Sequence, residues 1–213
     1  EKNWAKIDSF LDLGQRAMMR MKYASVPIIA AASGLALGGG CELLLHSHYL
    51  IAHEQLSAGL VEVGVGLIPA FGGFKEMVMR GGSSPELLIH NLKNIILQNK
   101  SASADYFSED YMVDLSINMN RKYLLQEAMD LPLRGRLAQM DERRVSIPEF
   151  DLEKSLDFTA LDRHSFKIIS LLQNISGKSM NEQELLDLER TIFLELVQTP
   201  EAERKIREVL NYS

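Results

Sequence analysis

From Trp4 onward the apolar residues Ile7, Phe10, Leu11, Ala17, Met18 and Met21 recur at helical spacing, which predicts a helix over 4–22 with Asn3 as its N-cap. The run Pro27-Ile28-Ile29-Ala30-Ala31-Ala32 is short, apolar and closed by the turn-forming Ser33-Gly34, the pattern of a buried strand. A glycine triplet, Gly38-Gly39-Gly40, then opens a helix reaching about His46, and Tyr49–Ala52 and Ser57–Gly59 read as further strands. Ile68–Gly73 is a loop leading into a helix that ends near Arg80, with Gly81-Gly82 as its stop. Ser84-Pro85 supplies an N-cap and a first-turn proline for the next helix, to about Leu97.

Beyond residue 100 the pattern is helical, with segments near 103–109, 120–130, 153–174, 180–197 and 200–211. Ser179 and Glu182 have capping-box spacing, and Thr199-Pro200 repeats the cap-plus-proline signal. The expected organisation is an α/β portion over 1–105 and a helical portion over 106–213, with a polar, Arg-rich connector from Pro132 to Pro148. No internal repeat points to a solenoid.

With 213 residues, 46% of them hydrophobic, the chain can bury a substantial core. A net charge of −6, with 23 basic residues scattered among 29 acidic ones, argues against a nucleic-acid surface. Arg134, Arg136, Arg143 and Arg144 form a short basic stretch read as solvated connector. Cys41 is the only cysteine, so no intrachain disulfide is expected, and a reducing cytoplasm fits. Val26–Leu45 has the length of a membrane span, but four glycines, four alanines and Glu42 make its apolarity too shallow. The first 25 residues read as a charged amphipathic helix rather than a signal peptide, and a chain that opens at Glu1 without Met reads as a piece of a longer one.

The candidate chemistry lies in two segments. Ala36-Leu37-Gly38-Gly39-Gly40-Cys41-Glu42-Leu43 puts bare helix-start N–H groups beside one carboxylate, and Gly59-Leu60-Val61-Glu62-Val63-Gly64 puts a second carboxylate among apolar neighbours twenty residues later. A donor such as the Gly39 N–H suits a carbonyl oxygen that gains charge, and two carboxylates can divide proton removal and delivery. Each half has a plainer reading: the glycines as a packing turn, Glu42 as a residue facing the helix dipole, Glu62 as a cap or an ion-pair partner. Together they point to chemistry at a carbonyl.

These segments, with Val65-Gly66-Leu67-Ile68-Pro69 after the second, closely resemble the enoyl-CoA hydratase/isomerase (crotonase) superfamily across about residues 22–80. The resemblance implies a partial crotonase-like ββα-superhelix core followed by an all-helical C-terminal region. It implies Gly39 as an oxyanion-hole donor, Glu42 and Glu62 as catalytic carboxylates, and Gly38, Leu37, Pro69 and Phe71 as substrate-binding residues. Having both glutamates favours hydration of a trans-2-enoyl-CoA, Glu62 managing the α-proton and Glu42 helping to hold the water, over isomerisation. Ser103-Ala104-Asp105, the stretch Asn118–Leu125 and the stretch Glu184–Leu194 resemble the C-terminal region of bacterial bifunctional fatty-acid oxidation proteins, in which a 3-hydroxyacyl-CoA dehydrogenase precedes a crotonase domain. The implied partners are an acyl-CoA substrate and further copies of the chain. No cofactor is expected in this region, and NAD only in a dehydrogenase portion.

Two departures from the family pattern are His46-Ser47-His48 after the motif helix and Ala70-Phe71 within the Pro-x-x-Gly-Gly loop. In the family a first oxyanion donor and much of the CoA-binding surface come from an Ala/Gly-rich loop in the preceding half of the domain, outside this sequence. A second reading is therefore a structural or oligomerisation module without turnover. His46, His48 and His53 lack a His-x-x-x-His pair and an acidic or cysteine partner, so no metal site is expected. No Gly-x-Ser-x-Gly elbow exists, and Cys41 beside Glu42 reads as packing.

Overall fold

A computed structural model describes residues 2–131, 144–157 and 161–210. Helix α1, Trp4–Lys22, starts where the Asn3 side chain accepts the Lys6 N–H, as the cap signal predicts. Strands β1, Ile29–Ala32, and β3, Tyr49–His53, run parallel with Ile29 opposite Tyr49. A second parallel pair is β2, Leu35–Leu37, and β4, Ser57–Gly59. Between β2 and β3 lies the motif helix α2, Gly39–Leu45, entered through Gly38 at φ 57° and ψ −125°, a backbone that only glycine adopts without strain. A one-turn 3₁₀ helix, Glu62–Val65, follows β4.

Helices α3, Gly73–Gly81, and α4, Pro85–Ile96, pack on each other and bury Phe74, Met77, Val78, Leu88, Leu92 and Ile95. The Ser84 side chain caps α4 ahead of Pro85, as expected. Helix α5, Ala104–Tyr111, precedes strand β5, Leu115–Asn118, which joins the free side of β3 in parallel with Leu50 opposite Leu115. Helix α6, Leu124–Asp130, lies across β1 and β3. Two-residue strands β6, Val145–Ser146, and β7, Ser179–Met180, form an antiparallel bridge. Helices α7, Leu152–Ser155, α8, Arg163–Gln173, α9, Glu182–Val197, and α10, Pro200–Val209, supply the rest. Ile168, Ile169, Leu172, Leu185, Leu196 and Ala202 belong to the same buried cluster as the α3–α4 residues, so the C-terminal helices close over the α/β core.

Four local expectations change, the first being that the helix expected over 153–174 is interrupted: α7 ends at Ser155 and α8 starts at Arg163. Leu35–Leu37, between the expected turn at Ser33-Gly34 and the glycine triplet, is a strand because β4 pairs with it, and Leu115–Asn118 is a strand inside the stretch read as helical. The capping box of α9 is formed by Asn181 and Glu184, not Ser179 and Glu182: Asn181 Oδ1 accepts the Glu184 N–H at 2.8 Å and Glu184 Oε2 accepts the Asn181 N–H at 2.9 Å. Ser179 is instead held in β7. Of the basic connector, Arg134, Arg136 and Arg143 lie outside the described residues, while Arg144 reaches Glu184 at 2.9 Å and the Ser179 carbonyl at 2.5 Å. Among the described residues no helix is long and apolar enough to cross a membrane.

Candidate active site

Glu42 sits within the first turn of α2 and is 2% exposed. Its Oε1 accepts the N–H groups of Phe71 and Gly73, each at 2.8 Å, so the carboxylate clasps the loop that starts α3. Burial pushes the Glu42 carboxyl up to about 7 against the opposing pull of the Gly73 and Phe71 donors. A Cβ on Gly73 would lie 2.8 Å from Glu42 Oε1, so the double glycine of this loop is what allows the approach.

Glu62 begins the 3₁₀ turn after β4. Its Oε2 is shut off from solvent without a hydrogen-bond partner, and burial, then the neighbouring Glu42 charge, raises its pKa to about 8. The two carboxylates converge on the glycine turn: a Cβ on Gly38 would stand 3.1 Å from Glu62 Oε1, and one on Gly39 would stand 4.0 Å from Glu42 Oε2. Gly38 spends its own N–H on the Gly59 carbonyl at 2.9 Å. Gly39, the first helical residue, has no partner for its N–H within the helix.

A cavity of about 170 Å³ joins Gly39, Glu42, Glu62 and Phe71, with Ile7, Phe10 and Leu11 of α1 and Phe193 of α9 as apolar walls. Phe71 packs edge-on to Phe10, ring centroids 5.5 Å apart. Of the sequence-predicted residues, Glu42, Glu62, Gly39 and Phe71 line this space and Gly38 backs Glu62, while Leu37 and Pro69 are not among the lining residues. The apolar walls were visible in the sequence only as core positions of α1 and α9. An alanine at Gly38 combines a disfavoured backbone with pressure on Glu62, so Gly38→Ala is expected to lower stability by about 1–3 kcal/mol, read from urea unfolding midpoints. A midpoint equal to that of the parent chain would contradict this account of the turn.

A second group of buried polar residues was not anticipated. Lys75, fully buried, donates to Glu76 at 2.6 Å, Glu182 at 3.0 Å and His46 Nε2 at 3.0 Å. Lys22 joins the same two carboxylates at 2.6 Å each, Tyr23 donates to Glu182, and Arg80 stands 3.3 Å from Glu76. Burial opposes ionisation of Glu76, but Lys75, Lys22 and Arg80 hold it well below the usual carboxylate range. Because the Lys75 ammonium donates to His46 Nε2, the imidazole is neutral and its Nδ1 donates to the Glu42 carbonyl at 2.7 Å. Burial, then Lys75, lowers the His46 pKa to about 4.

The three clustered histidines go separate ways. His46 braces α2, His48 Nδ1 accepts the Ile28 N–H at 3.0 Å, and His53 Nδ1 accepts the Gln55 N–H at 3.1 Å. Cys41 is fully buried, and burial followed by Glu62 and Glu42 pushes its thiol up, which leaves it a packing residue.

Residues 2–84 match the family described as Enoyl-CoA hydratase/isomerase. Over 211 residues the chain is 44% identical to a Rickettsia felis protein described as "Putative fatty acid oxidation complex trifunctional enzyme", covering 98% of this chain and 29% of that one. It is 28% identical to a Bacillus subtilis protein described as "Probable 3-hydroxyacyl-CoA dehydrogenase", again covering 98% of this chain and 29% of that one. The chain thus spans less than a third of the length of these relatives. Its backbone follows the crystal structure of an enoyl-CoA hydratase/isomerase from Mycobacterium paratuberculosis with a TM-score of 0.61 at 16% identity, over 97% of this chain and 70% of that one, which shows the crotonase fold.

Proposed function

We propose that this chain, which matches the enoyl-CoA hydratase/isomerase family over residues 2–84, adds water to a trans-2-enoyl-CoA to give a 3-hydroxyacyl-CoA in fatty-acid β-oxidation. The observation that carries this reading is the convergence of Glu42 and Glu62 on the Gly38–Gly39 turn around one largely apolar cavity. The Gly39 N–H would donate to the thioester oxygen. Glu42, ionised, accepts a proton from water as the oxygen bonds to the β-carbon. The electron pair of the double bond passes onto the thioester as an enolate, and Glu62, protonated, returns a proton to the α-carbon. Atoms and charge balance with one proton taken by Glu42 and one given by Glu62.

The unequal environments suit this division. Hydration needs Glu42 without its proton and Glu62 with it. The expected kcat/KM therefore rises as pH passes about 7 and falls above about 8, a narrow bell read from initial rates across pH 5.5–9.5. A flat profile over that span would remove both glutamates from the proton transfers.

The relatives' printed names and lengths support a wider assignment, as part of a longer protein with a 3-hydroxyacyl-CoA dehydrogenase portion that would use NAD; its place at the C-terminus, in the cytoplasm and in a homo-oligomer is carried by the family resemblance alone. The test is direct: the chain is offered a trans-2-enoyl-CoA and a 3-enoyl-CoA. Turnover of the first supports hydration. Turnover of the second alone would make the chain an isomerase, which the unpartnered Glu62 Oε2 favours as a single proton carrier. Thioester binding without turnover of either would leave the module reading.

A further inference from the structure

Glu189 is the one carboxylate of α9 that is completely buried, and it is not among the residues that line the cavity. Its Oε1 accepts the Gly72 N–H at 2.6 Å and its Oε2 the Lys75 N–H at 3.0 Å. Glu42 accepts from the residues that alternate with these, Phe71 and Gly73. Gly72 adopts φ 102°, a backbone open to glycine, and one carboxylate from α2 and one from α9 hold alternate N–H groups of the same loop. Gln15 locks the outer grip: its Nε2 donates to Glu189 at 3.3 Å and to the Leu186 carbonyl at 2.9 Å, tying α1 to α9 behind the loop.

The arrangement has a consequence for the reacting groups. Phe71, whose N–H Glu42 holds and whose neighbour Gly72 is held by Glu189, presents its ring to the cavity, and a Cβ on Gly39 would lie 3.8 Å from that ring. Glu42 has Oε1 committed to the loop, so the direction in which its Oε2 faces Gly39 follows from where Phe71 and Gly73 are held. We propose that Glu189 is a positioning residue for Glu42 and Phe71, acting through the Phe71–Lys75 backbone that the two carboxylates share. The C-terminal helices would thereby take part in the site rather than only cover it. The catalytic consequence rests on the hydration reading above; the mechanical one does not.

The experiment uses the full chain with Glu189→Gln, which keeps the shape and one acceptor, and Glu189→Ala, which keeps neither. Two readouts are taken. Amide hydrogen exchange at Phe71 and Gly73, whose acceptor is Glu42 and not Glu189, is expected to speed up about tenfold or more in Glu189→Ala and less in Glu189→Gln, while amides of α4 and α8 exchange as before. Hydration kcat is expected to fall about 10- to 100-fold with KM nearly unchanged, the signature of a misplaced group rather than a lost binding contact. Unchanged exchange at Phe71 and Gly73 overturns the proposal whatever the activity. Faster exchange with an unaltered kcat, in a chain that Glu42→Gln inactivates, overturns the positioning role and leaves hydration standing. If Glu42→Gln itself changes nothing, hydration is what fails, and the exchange data still decide whether Glu189 holds the loop. Should Glu189→Ala not fold, Glu189→Gln alone carries both readouts.

Discussion

Glu62→Gln is expected to slow hydration of a trans-2-enoyl-CoA by about 10²–10⁴-fold, because the amide can neither give nor take the α-proton that positioned acid–base catalysis requires. The substitution is nearly isosteric. Glu62 Oε2 has no partner to lose, and removing a buried carboxyl that repels Glu42 does not strain the fold, so the loss should appear in kcat and leave thermal unfolding unchanged. Glu42→Gln should cost a comparable factor for a second reason as well. Its Oε1 holds the Phe71 and Gly73 N–H groups, and a neutral amide oxygen holds them less tightly than a carboxylate does. Normal hydration by either variant, measured by loss of the conjugated enoyl absorbance, would sink the assigned proton transfers.

The largest stability effect belongs to Lys75. Lys75→Met is expected to cost about 3–5 kcal/mol, the range found when one partner of a buried ion pair is removed and the other left in place. Glu76 retains Lys22 and Arg80, and Glu182 retains Lys22 and Tyr23, so the lower end of that range applies. Against a typical total of about 5–15 kcal/mol, even this moves the urea midpoint far. Lys22→Met should do less, since Lys22 retains 21% exposure and water can replace part of what it gives. A midpoint for Lys75→Met within about 0.5 kcal/mol of the parent would mean that the cluster is already compensated without it.

How much of this was legible follows the range of the forces involved. Helices α1, α4 and α10 carry local instructions, an Asn3, Ser84 or Thr199 cap and a periodic apolar face, and all three start where those signals place them. Strand β2 carries none, since Leu35-Ala36-Leu37 has no alternation to display, and β5 carries only the four-residue alternation Leu115-Ser116-Ile117-Asn118, too short to stand out until it pairs with β3. In the site, Gly39, Glu42 and Glu62 announce themselves because one helix and one short turn place them. Glu189 was hidden by its own pattern: it occupies the buried stripe of α9 with Leu185, Leu186, Ile192 and Leu196, a position where spacing predicts an apolar residue. A carboxylate in that stripe is the signal that was there to be read.

The tie from Gln15 to Leu186 and Glu189 closes a span of more than 170 residues and gives the chain a timetable. The Glu189 grip on the Phe71–Lys75 backbone, and the Phe193 wall of the cavity, need α9 in place. A nascent chain that has emerged only as far as α6 can pair β1, β3 and β5, yet it holds its paired glutamates beside an open loop. Closure of so long a loop is slow, and it exposes apolar surface in the meantime. Ligand capture should therefore be among the last properties to arrive during synthesis, and among the first to go when α9 detaches.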